Sequence, residues 1–340
     1  MTGAETVQSF NVPNYSGLLY NKANTKTPFL NMISGGVKYT NSVEFVCGQF
    51  YTSEEGEIPE ISETASLTAP TASFVKRSQM SNVTQIFMES VAISYAKQSN
   101  MATLSGVNLA GQQANPQDEL SFQVARKMEK LKRSIEKTFI QGTYNKATKD
   151  TEVNKTRGMV SAINTNTIDA KSAKLDLWLV NEIVEKIYNA GGDISNLVLL
   201  MNSTNLLQLH GDAVELGMPI GKEYTSAYGI QVRDLILPVG TTVRCALGEF
   251  IPAGTVLVIN PSVIGPVEQP VPGKGNFFLE ELAKTGAGTK YQIFGQIGLD
   301  HGPEWFHGKI TGLSTEFTKP AGKKVVTVTE TATASTTTGK

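Results

Sequence analysis

Only two cysteines, Cys47 and Cys245, occur in 340 residues. This excludes a disulfide framework and fits a reducing compartment. No apolar run approaches the ~18 residues that a membrane-spanning helix needs, so no contact with a membrane is expected. The first ten residues, MTGAETVQSF, contain neither a basic nor an apolar stretch, so a secretory signal is not expected. With Met1 present, loss of an N-terminal propeptide is not expected either. The Asn-X-Ser/Thr triplets at Asn82, Asn154 and Asn202 then carry no glycosylation meaning. Charge of one sign is also lacking: 30 Lys and Arg stand against 31 Asp and Glu, a net −1. A dedicated nucleic-acid binder usually has a strongly basic domain. A protein with one wall facing nucleic acid remains compatible with this balance.

Catalytic and metal patterns are equally scarce. The three histidines are His210, His301 and His307. Asp300, His301, Glu304 and His307 form the only local group of metal-capable side chains. Their spacing is not the i,i+4 histidine pair of a helical zinc site, so ordinary core and surface roles are expected. The stretches GAGTK at 286–290 and GKG at 273–275 miss the phosphate-loop spacing and read as turns. No G-x-S-x-G elbow and no converging acid/base pair is visible. No catalytic residue, metal or cofactor is expected.

The sequence does contain an arm followed by a beam. Residues 37–51 and 83–97 are strand-like and bracket about thirty polar residues. In the first strand Val37, Tyr39, Val43, Phe45, Cys47 and Tyr51 alternate with mostly polar residues, as in a half-buried strand. The second is rich in β-branched residues, with apolar side chains on both faces, which predicts that part of it is covered on both sides. Between them lie Glu54, Glu55, Glu57, Glu60 and Glu63 with no basic residue until Lys76 and Arg77. Pro59 and Pro70 block central-strand pairing there. Inserts of this length are either solvated loops or functional ones. A two-stranded arm is marginal alone in water, which suggests completion by neighbouring subunits.

The beam is a helix expected over 116–141. Asn115 suits the N-cap, Pro116 the first helical position, and Asp118 and Glu119 the positive end of the dipole. Leu120, Val124, Met128, Leu131, Ile135 and Phe139 make one apolar stripe, and Gly142 supplies the stop. At 1.5 Å per residue the helix would be about 39 Å long. Its polar face carries Arg126, Lys127, Lys130, Lys132, Arg133 and Lys137 against Glu129 and Glu136. That is either a solvated face with pairs such as Glu129–Arg133 or a mildly cationic wall facing polyphosphate.

A second α/β unit follows. A helix is expected over 175–190 and a buried strand over 196–202. A short helix over 203–210 and strands over 229–237, 242–247 and 255–260 come next. Residues 261–276 read as a connection, and strands resume at 276–283 and 291–299. After residue 318 the composition shifts, and seven of the last sixteen residues are threonine. This is a flexible tail by default, although residues 325–329 could add a strand to a partner.

Several stretches resemble a known family. LLYNKANTKTPFLNMI at 18–33, SNVTQIF at 81–87 and VAIS at 91–94 resemble the tailed-bacteriophage major head (major capsid) proteins. DELSFQVARK at 118–127 and EKLKRSIE at 129–136 are similar to the family's spine helix. FIPAGTVLVINPS at 250–262, ELAKTG at 281–286 and HGKITGL at 307–313 resemble its later strands. The matches fall in family order.

The resemblance implies an α+β, Hong Kong 97-like capsid fold. Residues 1–36 would be an N-arm and 37–95 an extended loop reaching over the adjacent subunit. Residues 96–156 with 291–317 would form a peripheral domain containing the spine helix. Residues 157–290 would be an axial domain, and 318–340 a tail. Pentamers and hexamers would close into an icosahedral shell around double-stranded DNA, built in the host cytoplasm. Portal, scaffold and decoration proteins are possible partners. Glu54, Glu55, Glu57, Glu60, Glu63, Lys76 and Arg77 become candidates for contact between subunits. Arg126, Lys127, Lys130, Arg133 and Lys137 become candidates for facing DNA. An encapsulin-like shell is the nearest alternative. A soluble α+β enzyme with residues 48–80 as a lid lacks a convergent polar site.

Overall fold

Pro28 sets the first turn of a short helix, α1 (Pro28–Ile33), whose six residues are all buried. The structure, a computed structural model, describes residues 27–51, 58, 60–69, 74, 77–96, 119–215, 225–227 and 230–317. The expected N-arm before residue 27, the helix start at 115–118 and the Thr-rich tail therefore lie outside the described residues.

Strands β1 (Lys38–Tyr39) and β2 (Glu44–Tyr51) follow α1. The expected continuous strand over 37–51 is thus broken. Thr40 Oγ1 accepts the Ser42 N–H at 3.1 Å, a local side-chain turn that competes with the ladder. Tyr39 and Val43 are consequently exposed rather than half-buried.

Next come β3 (Arg77–Val83) and β4 (Gln85–Ser94). The arm is the antiparallel pair β2–β3, with Glu44 opposite Val83 and Tyr51 opposite Arg77. Residues 83–97, expected as the second arm strand, instead enter the main sheet as β4. Chain direction and alternation persist through Thr84 while the pairing partner changes, so hydropathy shows no boundary. Among the described residues only one face of β4 is covered: Phe87, Val91 and Ile93 are buried, while Ile86 and Met88 are exposed.

The long helix α2 (Glu119–Gln141) has 23 described residues, about 35 Å at the standard rise. Its stripe is as expected. Val124, Met128, Leu131, Ile135 and Phe139 all enter the core, with Leu120 packed against it. Gly142 ends it for a different reason than a left-handed cap. A Cβ there would lie 2.5 Å from both the Thr138 and Thr156 carbonyl oxygens, so only glycine allows this approach.

The remaining elements are α3 (Met159–Ala162), β5 (Thr167–Asp169), α4 (Leu177–Asn189), β6 (Val198–Met201) and α5 (Ser203–Glu215). They continue with β7 (Thr225–Ala227), β8 (Ile230–Ile236), β9 (Thr242–Leu247), β10 (Val256–Ile259) and β11 (Gly265–Glu268), then β12 (Phe278–Glu281), β13 (Gly288–Asp300) and β14 (Gly308–Thr311). Asp176 caps α4 by accepting the Leu179 N–H at 2.7 Å. Helix α5 runs past the expected His210 because Gly211 weakens helix propensity without ending the helix. The expected connection 261–276 conceals β11, which is fully buried. Its Gly-Pro start looks like a turn, but a Cβ on Gly265 would lie 2.2 Å from the Gly36 carbonyl oxygen.

Two sheets organise the described residues. In the five-stranded one, β13 pairs with β4 along one edge and with β11 and β12 along the other, and β1 joins β11. Its inner face packs on α1 and α2 through Phe29, Ile135, Phe139, Ile293 and Ile297. The seven-stranded sheet runs β5-β14-β10-β6-β9-β8-β7. It buries Val180, Ile183 and Ile187 of α4 beneath Leu199 and Val258. Thus β11 and β12 join the strands of the first sheet, and β14 joins the second. Sheet membership interleaves across the expected 157–290 division.

Candidate assembly surfaces

The arm is rooted in a polar clamp. Asn82 of β3 donates from Nδ2 to the Leu299 carbonyl at 2.7 Å and the Arg157 carbonyl at 3.2 Å. Its Oδ1 accepts the Arg157 N–H at 2.7 Å and the Val83 N–H at 2.9 Å. On β2, opposite Met80, the Cys47 thiol lies 3.6 Å from the Leu299 carbonyl, and burial pushes that thiol up, far from thiolate formation. The next residue, Gly48, sits at a shift in register with φ +53°. A Cβ there would lie 2.7 Å from the Gly302 carbonyl oxygen. Nothing in the hydropathy marks Asn82 or Gly48, although Asn82 sits within the SNVTQIF stretch.

Behind the clamp lies the acidic and histidine group noted in the sequence. The Asn260 N–H donates to His307 Nδ1 at 3.2 Å, so Nε2 carries the proton and donates to the His301 carbonyl at 2.8 Å. Both ring nitrogens of His307 are therefore occupied by backbone. Burial lowers its pKa to about 4. His301 is fully buried and donates from Nδ1 to the Gly302 carbonyl at 2.7 Å. Burial lowers its pKa too. Asp300 accepts from Lys38 at 2.5 Å and from the Gly302 N–H at 3.0 Å. Among the described residues no metal-capable cluster forms, and no helix is long and apolar enough to cross a membrane.

At the far end of the arm, Ile58, Ile61, Leu67 and Phe74 are 70–89% exposed. Glu60 and Glu63 are exposed beside them. Glu54, Glu55, Glu57 and Lys76 lie outside the described residues, as does the side chain of Arg77.

The basic face of α2 divides into two groups. Lys127 reaches Glu89 of β4 at 3.0 Å, and Lys130 bonds the other oxygen of the same carboxylate. Burial opposes the charge on Glu89, but the two ammonium bonds outweigh it and hold the carboxyl below its usual range. Arg126 and Arg133 remain on the outer face. Arg126 pairs with Glu129 at 2.9 Å, and Arg133 pairs with Glu249 at 2.5 Å rather than with the expected Glu129. Arg126, Lys130, Arg133 and Lys137 line a groove of about 400 Å³ with Phe250. Glu136, expected on this polar face, is fully buried. It faces α1, where its oxygens accept the Phe29 and Leu30 N–H groups.

Comparison with known proteins places this architecture. The family model for the SU10 major capsid protein matches residues 2–314. No curated protein matches the chain. Among solved structures, one similar chain comes from the holo-SrpI encapsulin complex of Synechococcus elongatus PCC 7942. It has 11% identity and a TM-score of 0.57, covering 85% of this chain and 90% of that one. A chain from Mycobacterium phage Cain has 11% identity and a TM-score of 0.52, covering 92% and 98%. One from Mycobacterium phage Patience has 9% identity and a TM-score of 0.53, covering 89% and 87%. At these identities the structural likenesses establish the Hong Kong 97-like fold, and the family match supplies the role. The chain belongs to the SU10 major capsid protein family and is a bacteriophage major capsid protein, the building block of an icosahedral head.

Proposed function

We propose that the arm is the strap joining each copy to the next in pentamers and hexamers, and that α2 presents its outer basic groove to packaged double-stranded DNA. The observation that carries this reading is the contrast along the arm. Its root is locked into the body through Asn82 and Gly48, while its tip exposes four large apolar side chains. A free chain gains nothing from exposing Ile58, Ile61, Leu67 and Phe74. Burying each against a neighbour is worth about 1.5–3 kcal/mol, whereas an exposed ion pair contributes about 0.2–1 kcal/mol. The apolar tip therefore supplies most of the holding energy. Glu54, Glu55, Glu57, Glu60 and Glu63 select a basic surface and speed the encounter.

In this reading residues 1–36 are an N-arm and 157–290 supply most of an axial domain, which β14 joins, while β11 and β12 belong with the sheet of the periphery. The role is structural, without catalysis or cofactor. Assembly takes place in the host cytoplasm, and portal, scaffold or decoration proteins are further partners. Of the basic candidates, Arg126, Lys130, Arg133 and Lys137 line the outer groove and are the ones offered to DNA, whereas Lys127 turns to Glu89 and lies outside it. The contact is with phosphates and independent of sequence.

The likeness to the encapsulin chain favours one second reading, a shell without a genome. Nucleic-acid content of purified particles separates the two. The strap itself is tested by replacing Ile61 and Leu67 with serine, and separately by reversing the five glutamates to lysine. Both variants should yield folded subunits and few shells, with the larger loss from the apolar pair. Shells at wild-type yield in both would refute the strap.

A further inference from the structure

We infer that the open edge of β4 is where the arm of the neighbouring copy docks, adding one of its strands to the five-stranded sheet. This rests on the strap reading and adds its landing site. Strand β4 pairs with β13 over its full ten residues, Gln85–Ser94. Among the described residues no strand runs along its other edge between Ile86 and Ala92.

The direction of the free backbone groups follows from single bonds at either end. The Tyr95 N–H donates to the Ala287 carbonyl on the β13 side, and the Thr84 N–H donates to the Val43 carbonyl on the β2 side. Successive residues of a strand point their N–H and C=O groups to opposite edges. Odd residues of β4 therefore bond β13, and Ile86, Met88, Ser90 and Ala92 direct theirs at the open edge. Strand β13 agrees, since its even residues Lys290 and Gln296 accept from Leu282 and Gln269 on its far side.

Natural edges are usually guarded by lysine, proline or a bulge. The outer face of this one carries Ile86, Met88, Ser90 and Ala92, all exposed and uncharged, while its one charge, Glu89, points to the other face and is held by Lys127 and Lys130. A groove of about 590 Å³ lined by Val43, Ile86, Lys146 and Val153 leaves room beside its first residues.

Among the described residues no segment of the same chain can serve as the occupant, which points to a second copy. Strands β3 and β4 are one extended run interrupted only at Thr84, and β2 already lies on this same edge along β3. The chain's own arm is thus end-to-end with the open stretch and cannot fold back over it. The arm of another copy offers strands of eight and seven residues, β2 and β3, whose outer edges carry no further strand among the described residues. Two strands are marginal alone, and a third strand removes that weakness. Arm on edge is a head-to-tail contact between unlike surfaces, the kind that closes rings.

Amide hydrogen exchange on full-length particles tests this. In shells, the amides of Ile86, Met88, Ser90 and Ala92 should exchange on the order of a hundredfold more slowly than in a chain whose arm between Tyr51 and Arg77 is replaced by a short Gly-Ser turn. Equal rates in the two would overturn the inference. So would protection that vanishes on removing residues 318–340 but survives arm replacement, which would make the tail the occupant. In parallel, Ser90→Pro removes an N–H that β13 does not use and should abolish shells, while Ser90→Ala should not. If arm replacement prevents assembly but Ser90→Pro shells form normally, the landing site is wrong and the strap stands. If arm replacement itself leaves shells intact, the strap reading falls.

Discussion

The Leu30 N–H donates to Glu136 Oε2 at 2.9 Å, across 106 positions of sequence, and the Phe29 N–H donates to Oε1 at 3.2 Å. Helix α1 has no side-chain cap from Thr27, so a carboxyl group from the last third of α2 satisfies its first N–H groups. The N-terminal plug is thereby fixed to the beam. Glu136→Ala should cost about 1–3 kcal/mol for each N–H left unpaired, measured by denaturant unfolding. Burial pushes the carboxyl up to about 8, against the two N–H bonds that favour its charge. The folded form thus keeps its proton at higher pH than the unfolded chain. Its contribution is full below about pH 4.5 and lost as pH rises through 8. Glu136→Gln should flatten that part of the melting-temperature profile.

The acid side is governed by His301 and His307. Burial lowers both, His307 to about 4 against an ordinary 6.5. Protons bind the unfolded chain first, so stability is full above pH 6.5 and falls as pH drops toward 4. For His307 alone the loss is on the order of 3 kcal/mol. His301 Nε2 has no partner among the described residues, so a proton placed there would be uncompensated. Glu136 works in the opposite direction over this range, so the fall should show most clearly in unfolding midpoints of Glu136→Gln between pH 4 and 7, and a flat profile in that variant would contradict the burial argument.

Much of this was legible beforehand. The stripe from Leu120 to Phe139 specified α2 and its buried face, because a helix repeats its pattern within one element. The arm's second strand was misplaced because Thr84 changes partners without interrupting the alternation. Counting at i,i+4 places Glu136 on the polar face because it sees α2 alone, whereas its partners belong to a segment a hundred residues away. Strand β11 was hidden by Gly265 and Pro266, whose turn chemistry is overridden by the close approach of Gly36. Among the site residues, composition revealed the acidic tip and the basic helix face, but not which lysines Glu89 neutralises.

That division of the basic face has separate consequences. Lys127→Ala should lower subunit stability, because Glu89 is half-enclosed and loses one of its two ammonium partners. A cost of about 1 kcal/mol is expected. Lys137→Ala should leave the melting temperature unchanged and reduce the salt dependence of DNA binding, by about 0.9 in log–log slope if it contacts one phosphate. DNA titrations at several salt concentrations, beside thermal melts, check both. The reverse pattern would assign the roles the other way.

Gly48→Ala tests the arm root. The substitution forces a side chain into a left-handed conformation and against the Gly302 carbonyl. A cost of about 1–3 kcal/mol is expected, together with fewer closed shells, as read by thermal melting and sedimentation.

The central claim, that each copy straps its neighbour into a closed head, is tested most directly by a cryo-electron reconstruction of particles formed by the full-length chain. The account predicts icosahedral shells in which density for residues 52–76 lies across the adjacent subunit. Small oligomers, or shells in which each arm folds onto its own body, would contradict it.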